Sequence, residues 1–300
     1  MEPQATAVAT DVLNAVAEGR YPLPHDVLGA HLNDGVVTIR SVHHLADSVE
    51  VLTQDHTYPA THEHGGVWVC VFAAEDIPDY RLRVTYGDHS QVVDDPYRFL
   101  PTVGEMDTYL ISEGRHERLW EVLGAHLMHF DGVMGPVDGV AFAVWAPNAQ
   151  AVRVVGDFNF WDGTGHAMRT MGASGVWELF IPGVGVGARY KFEIQGPSGN
   201  WFQKADPMAR ATEIPPATAS VVTDVFHTWN DEDWLRARED ANPHSGPMSI
   251  YEVHAGSWKQ DLGYRGLADE LIPYVKKMGF THVEFMPLAE HPFGGSWGYQ

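Results

Sequence analysis

The sequence predicts a multi-domain chain: two antiparallel, immunoglobulin-like β-sandwiches, followed by the first βαβ unit of a (β/α)8 TIM barrel. Three observations lead to this fold class. The chain has 300 residues, of which 44% are hydrophobic, enough to build more than one core. The part before residue 210 contains two copies of one β-rich pattern. Residues 248–300 then change to helical spacing between two apolar runs.

The internal repeat rests on four motifs that recur in the same order. They are LGAH (28–31 and 123–126), Val-Trp (67–68 and 176–177), a Tyr that opens an alternating run (80 and 190) and Asp-Pro (95–96 and 206–207). The last three are offset by 109, 110 and 111 residues, and the first by 95. Each copy has short β-branched or aromatic runs separated by Gly, Pro, Asn and Asp, which is typical of an antiparallel β-sandwich.

The C-terminal segment has a different period. SIYEVHAGSW (249–258) is predicted to be a buried strand, GLADELIPYVKKMG (266–279) a helix and THVEFMPL (281–288) a second apolar strand. Pro273 predicts a kink or a split in that helix. Strand, helix and strand form a βαβ unit, which belongs to parallel α/β folds. Since a closed barrel takes about 250 residues, only its beginning is expected before residue 300.

Composition excludes several classes of partner. The net charge of −21 disfavours nucleic acid, which is itself a polyanion. The one cysteine, Cys70, rules out an intramolecular disulfide framework and is expected to be a buried thiol. The N-terminus has no basic segment followed by a long apolar run, and no run approaches the roughly 18 residues that a membrane span requires. We expect a cytoplasmic, soluble protein with no cofactor and no metal.

The stretch VVGDFNFWDG (154–163) is unusual, because a turn rich in Gly, Asp and Asn carries three aromatic rings. The first copy has SVEVLTQDH (48–56) at this place, without such rings, so the fold does not need them. Aromatic faces suit the C–H faces of sugar rings. Phe158 and Phe160 could instead fold inward, whereas Trp161 and Trp201 are expected to be exposed. Lys191 and Asn159 are further candidates for the same sugar-binding surface.

A known family shares these motifs. Residues 139–209, with GVAFAVWAPNAQAVRVVGDFNFWDG, GVWELFIPG and YKFEIQGPSGNW, resemble a family 48 carbohydrate-binding module. The resemblance implies a glucan site formed by Trp161, Lys191 and Trp201. The first copy has Arg81 in place of Lys191 and no ring matching Trp161. It resembles a degenerate copy that packs rather than binds.

The sequence motifs of the C-terminal segment also resemble those of a known family. YEVHAGSW and LADELIPYVKKMGFTHVEFMPLAEHPFGGSWGYQ, together with the preceding sandwiches, resemble the glycogen (1,4-α-glucan) branching enzymes of glycoside hydrolase family 13. The resemblance implies cleavage of α-1,4-glucan chains and transfer of the excised segment to a 6-hydroxyl by retaining double displacement. The carboxylates of that family lie on later barrel strands. We therefore assign no catalytic residue here and expect the 300-residue segment alone to be inactive.

The same resemblance implies that GGSWGYQ, after the second strand, contacts sugar through Tyr299, with Trp297 and Gln300 adjacent. For Trp297 a packing role is equally open. Two alternatives to branching remain. A malto-oligosyltrehalose trehalohydrolase has a similar opening, but its matching segment usually reads WGYD, so Gln300 favours branching. A non-catalytic glucan-binding protein is the other, if the natural chain ends at Gln300.

The predicted organisation follows from these assignments. We expect a monomer whose partner is an α-1,4-glucan such as glycogen, with no nucleic acid and no membrane. The predicted segments are an N-terminal extension (1–20), the first sandwich (21–110), the second sandwich with its family 48 module (111–223), a linker (224–247) that holds a short helix around 231–239, and the barrel start (248–300).

Overall fold

The computed structural model describes residues 3–224, 227–289 and 294–299. The chain divides into two compact units, residues 1–225 and 226–300. The first unit contains both predicted β-sandwiches, and the second contains the predicted linker helix and the βαβ segment. None of the helices in the described ranges has the length and apolar character that a membrane crossing requires.

The first sandwich consists of two antiparallel sheets with strand orders β1-β2-β6-β5 and β4-β3-β7-β8. Its strands are β1 (Gly29–Asn33), β2 (Val36–Val42), β3 (Ser48–Leu52), β4 (Thr57–Pro59), β5 (Thr61–His64), β6 (Val67–Ala73), β7 (Arg81–Tyr86) and β8 (His89–Val93). Alternate residues of both sheets point inward, so that Val37 and Cys70 from one sheet meet Val49 and Leu82 from the other. Cys70 is buried, as expected, and burial raises the pKa of its thiol to about 11.

The second sandwich repeats this arrangement, with strand orders β12-β13-β10-β9 and β11-β14-β17-β16, and with β15 also paired to β14. Its strands are β9 (Gly124–Phe130), β10 (Val137–Trp145), β11 (Ala151–Gly156), β12 (Arg169–Thr170), β13 (Val176–Pro182), β14 (Arg189–Gln195), β15 (Trp201–Lys204), β16 (Ala211–Thr212) and β17 (Ser220–Val221). The β-branched and aromatic runs that the sequence analysis noted in this copy lie in these strands. The prediction of multiple antiparallel, sandwich-like sheets is confirmed.

The repeated motifs make the same contacts in both copies. The Tyr80 hydroxyl donates to Asp95 Oδ2 at 2.6 Å, and the Tyr190 hydroxyl donates to Asp206 Oδ2 at 2.5 Å. Each aspartate then accepts a backbone N–H two residues further on through its other oxygen. The internal repeat read from the sequence is therefore also a repeat of buried hydrogen bonds.

The LGAH motif shows the same equivalence. The ring Nε2 of His31 lies 3.1 Å from the Leu28 carbonyl oxygen, and that of His126 lies 2.9 Å from the Leu123 carbonyl oxygen. Gly29 has φ of +81°, and a Cβ there would lie 2.3 Å from a backbone carbonyl oxygen. Only glycine fits this crowded, left-handed position.

The two sandwiches share a core. Helix α1 (Thr10–Ala17) lies within the predicted N-terminal extension, and its Leu13 and Val16 belong to one buried cluster with Leu28 of the first copy and Phe142 of the second. The Tyr97 hydroxyl accepts the Ala167 N–H at 2.9 Å and so joins the copies by a buried hydrogen bond. Helix α2 (Glu105–Ser112) lies between the copies in sequence.

The second unit contains a parallel strand pair. Helix α3 (Glu232–Asp240) precedes β18 (Ile250–Val253), α4 (Ala255–Trp258), α5 (Tyr264–Met278) and β19 (His282–Phe285), and β18 pairs with β19 in parallel. Both strands are shorter than the sequence predicted. The first was expected to reach residue 258, but the chain turns into α4 after His254, where Gly256 and Ser257 favour a turn.

Helix α5 has one buried apolar stripe and contains a proline. Leu267, Leu271 and Val275 form its buried stripe against Val253, while the apolar side chains of Tyr274 and Met278 on the same helix are exposed. The helix continues through Pro273, so the predicted split does not occur. The buried stripe on both sides of the proline offsets the one backbone hydrogen bond that it removes.

Candidate functional site

The aromatic loop begins where β11 ends. Residues 157–159 form one 3-10 turn, and Phe160 and Trp161 then follow with φ of +54° and +62°. Left-handed backbone is uncommon for bulky residues and costs free energy at each position. Two consecutive aromatic residues in this conformation therefore require support from the surrounding structure.

Asn159 provides that support. Its Oδ1 accepts the Gly156 N–H at 2.8 Å, and its Nδ2 donates to the Val154 carbonyl at 2.9 Å and contacts His166 Nδ1 at 3.1 Å. The side-chain amide is thus occupied by contacts within the loop. Asn159 holds the backbone that presents the rings.

The three rings have three different environments. Phe158 is half-buried and stacks on Phe142, with ring centres 6.1 Å apart, so it packs against the core. Trp161 is 38% exposed, and Phe160 is 93% exposed. One ring therefore supports the fold, and two remain accessible.

Lys191 and Trp201 lie on the outer face of the same sheet. β14 pairs with both β11 and β15, so that Lys191 is opposite Val155, Glu193 is opposite Arg153 and Gln195 is opposite Trp201. Residues 191, 193 and 195 share one face of β14, and their cross-strand partners point to that face as well. A Cβ on Gly163 would lie 2.8 Å from Arg153 Cβ, so the loop returns over this same face. The structure therefore places Lys191 and Trp201 on one face of the sheet, and the loop that carries Trp161 returns over that face.

Arg153 is a residue that the sequence analysis missed. Its guanidinium carbon lies 3.6 Å from the centre of the Trp201 ring, a close cation–π contact. Trp201 is consequently half-buried rather than exposed as expected, because Arg153 covers one face of the ring. Arg153 also forms an ion pair with Glu193, with 3.5 Å between Nε and Oε2. A cation in the middle of an apolar strand was the available sequence signal.

Lys191 and its counterpart in the first copy behave differently. The Lys191 ammonium group donates to the Thr218 hydroxyl at 2.8 Å and is near solvent. Arg81, which takes its place in the first copy, pairs with Asp94 at 3.3 Å and reaches the Pro136 carbonyl at 3.5 Å. Arg81 is thus held by an ion pair and a backbone hydrogen bond, whereas Lys191 donates only to a hydroxyl.

His166 lies behind the loop. Burial and the nearby His43 lower the pKa of His166 to about 4. The ring is therefore neutral near pH 7 and can accept the Asn159 amide N–H at Nδ1. Throughout the described ranges, no group of three or more His, Cys, Asp or Glu side chains is arranged to hold a metal ion.

The second unit holds the other predicted residues. Trp297 and Tyr299 are 56% and 67% exposed, and they follow β19 in the chain. The ring centres of Trp297 and His254 are 5.2 Å apart. Gln300 lies outside the described residues.

Comparison with known proteins agrees with this architecture. Residues 122–209 match the model for "Carbohydrate-binding module 48 (Isoamylase N-terminal domain)", and residues 9–97 match that for "alpha-1,4-glucan branching enzyme GlgB, N-terminal domain". Fold and site together define a chain built on sandwiches of the carbohydrate-binding type. The chain is 55% identical over 300 residues to the 1,4-alpha-glucan branching enzyme GlgB of Thermobifida fusca, which covers 99% of this chain and 40% of that protein.

A second relative gives the same result. The GlgB of Leifsonia xyli subsp. xyli is 54% identical over 297 residues, covering 96% of this chain and 40% of the relative. Over nearly its whole length the chain is thus similar to the N-terminal region of GlgB branching enzymes. It spans about 40% of the length of these curated relatives.

Solved structures show weaker likeness. A type I pullulanase from Bacillus subtilis str. 168, complexed with maltose, aligns with a TM-score of 0.40 at 19% identity. The alignment covers 87% of this chain and 38% of the pullulanase. A likeness at this level does not bear on function.

Proposed function

We propose that these residues belong to a glycogen branching enzyme. It cleaves an α-1,4-glucan chain and transfers the excised segment to a 6-hydroxyl, which creates an α-1,6 branch point. The observation that carries this proposal is the 55% identity to a GlgB across nearly the whole chain. Retaining transfer of this kind uses two carboxyl groups about 5–5.5 Å apart, one as nucleophile and one as acid/base. We assign neither of them within residues 1–300.

We infer that the second unit opens the catalytic barrel. The parallel pairing of β18 with β19, with α5 between them in the chain, supports this proposal. Barrel active sites lie on the loops after the C-terminal ends of the strands. Trp297, Tyr299 and Gln300 follow β19 and are therefore our candidates for contact with sugar at the reaction centre. The segment boundaries given above (1–20, 21–110, 111–223, 224–247 and 248–300) are proposed on the same basis.

The branching assignment is tested with the whole protein and amylose. We expect an increase in α-1,6 linkages, measured by NMR of the product, with no release of trehalose. Trehalose released from a trehalosyl-terminated oligosaccharide would show a trehalohydrolase instead. Binding of amylose without any change in its linkages would show a non-catalytic glucan-binding protein.

We propose that the outer face of the second sandwich binds α-1,4-glucan. Trp161 and the uncovered face of Trp201 offer apolar surfaces for sugar C–H groups, and Lys191 offers N–H donors to hydroxyls. The exposure of Trp161 and the common face of Lys191 and Trp201 support this site. Asn159 contributes indirectly, since it fixes the loop.

Substitutions of the two tryptophans test this site. Trp161→Ala and Trp201→Ala should each weaken binding of the chain to maltoheptaose by about 1–3 kcal/mol, because each removes a stacking surface. Trp120→Ala is the matched control, since this residue is 55% exposed and lies on a different part of the second copy. Isothermal titration calorimetry and thermal melts measure affinity and stability separately. Unchanged affinity in both site variants would contradict the proposal.

We further propose an α-glucan as the partner, a cytoplasmic location and a monomeric state. The acidic balance of −21 disfavours polyanions and is compatible with a neutral polysaccharide. The single, buried Cys70 fits a reducing compartment, where disulfides are rare. Light scattering of the purified chain tests the monomeric state.

A further inference from the structure

Phe160 is the most exposed large apolar side chain of the aromatic loop. Its side chain is 93% exposed, whereas the neighbouring Phe158 packs against Phe142. Phe160 also has left-handed backbone, with φ of +54°. Glycine or asparagine would adopt this conformation at lower cost than a phenylalanine. Neither packing nor backbone preference explains a phenyl ring at this position.

The turn is held by residues other than Phe160. Asn159 makes side-chain hydrogen bonds to Gly156 and Val154, the Trp161 N–H donates to the Gly156 carbonyl at 2.9 Å, and the Asp162 N–H donates to the Asn159 carbonyl at 3.0 Å. The backbone that presents Phe160 is therefore fixed independently of its ring. An exposed ring on a fixed, strained backbone is prepared for contact with a ligand, because little ordering remains to be lost on binding.

The position of the ring indicates which ligand it contacts. Phe160 directly precedes Trp161, whose Cα lies about 3.8 Å away. Both rings are carried by adjacent residues of one turn and both are exposed, which places Phe160 beside the proposed glucan site. A single sugar does not need both rings, whereas an extended glucan offers a second apolar face to the second ring.

We propose that Phe160 extends the glucan site by one sugar unit and makes it selective for longer α-1,4-glucan chains. This inference rests on the proposed glucan site at Trp161, Lys191 and Trp201. Trp161 contacts one glucosyl unit, and the Phe160 ring contacts the next unit of the same chain. Phe160 thereby sets the minimum length of oligosaccharide that gains full affinity.

The experiment compares Phe160→Gly with the unaltered chain on maltose and maltoheptaose. We expect the maltoheptaose affinity of Phe160→Gly to fall about three- to tenfold, as expected for one lost aromatic contact. Maltose affinity should stay unchanged, because its two units can still occupy Trp161 and Trp201. The melting temperature should stay equal or rise, because glycine relieves the left-handed strain. Phe160→Tyr keeps a ring and should retain the maltoheptaose affinity.

Other results would overturn the inference. Equal maltoheptaose affinity in Phe160→Gly and the unaltered chain would show that the ring does not contact glucan. It would then point to a protein surface as its partner. A lower melting temperature with losses on both oligosaccharides would show a structural role. If the unaltered chain bound neither oligosaccharide, the proposed glucan site would fail first. If Trp161→Ala lost affinity for both sugars while Phe160→Gly lost none, the proposed glucan site would stand and only the role of Phe160 would be refuted.

Discussion

At the scale of single residues, two buried tyrosines show what the repeated motifs do. Tyr80 and Tyr190 are each almost fully buried, and each donates to an aspartate that is also buried. Burial raises the pKa of Asp95 to about 6 and also raises the pKa of Asp206. Each tyrosine hydroxyl thus satisfies an oxygen that water does not reach, and removing it leaves that oxygen unpaired.

We therefore expect Tyr80→Phe and Tyr190→Phe each to lower the free energy of unfolding by about 1–3 kcal/mol. Urea unfolding followed by fluorescence measures the change. Tyr109→Phe is the matched control, because this tyrosine is 55% exposed on α2 and its hydroxyl stays hydrated. A cost in one copy only would mean that the two Tyr-Asp pairs are not energetically equivalent.

At the scale of structural elements, the loop after β11 depends on a histidine behind it. Burial lowers the pKa of His166 from 6.5 to about 4, so the unfolded chain binds this proton more readily than the folded chain. The stability that neutral His166 contributes is complete above about pH 6.5 and is lost as the pH falls towards 4. Protonation at Nδ1 would also remove the acceptor for the Asn159 amide.

His166→Gln tests this dependence. The drop in unfolding free energy between pH 7 and pH 4 should be smaller in the variant by on the order of 3 kcal/mol. The raised pKa of Asp95 changes the unfolding free energy in the opposite direction over this pH range. Because both chains contain Asp95, its contribution cancels when the two pH dependences are compared. His89→Gln, at an exposed position on β8, serves as the control. Equal pH dependence in His166→Gln and the unaltered chain would contradict the expectation.

At the scale of the first unit, the two sandwiches are not separate bodies. Leu13 and Val16 of α1, Leu28 and Tyr97 of the first copy and Phe142 of the second belong to one buried cluster. A buried cluster that draws on both copies couples their stability, because a cavity opened on one side removes contacts from the other. The first copy therefore supports the second even without an aromatic loop of its own. This gives a physical role to the sandwich that lacks the aromatic rings.

Much of this architecture could be predicted from the sequence. The alternation of apolar residues placed the main strands, and the ordered motifs at nearly constant offsets predicted two copies of one module. The helical spacing of apolar residues in 266–279 predicted helix α5, although only Leu267, Leu271 and Val275 form its buried stripe. The strand ends at Val253 and Phe285 could not be predicted. Apolar composition continues past both ends, whereas the backbone turns away.

The candidate site could likewise be predicted from the sequence only in part. The residue types and order in GDFNFW determined that a turn would carry aromatic rings, and the motifs indicated the resemblance to glucan-binding modules and branching enzymes. Only the tertiary structure decided which ring faces which environment: Phe158 packs on Phe142, Phe160 faces solvent, and Arg153 covers one face of Trp201. The physical reason is that ring exposure depends on neighbours from other strands. Arg153 reaches Trp201 from a strand that is not adjacent to β15 in the sheet, and no local pattern encodes that contact.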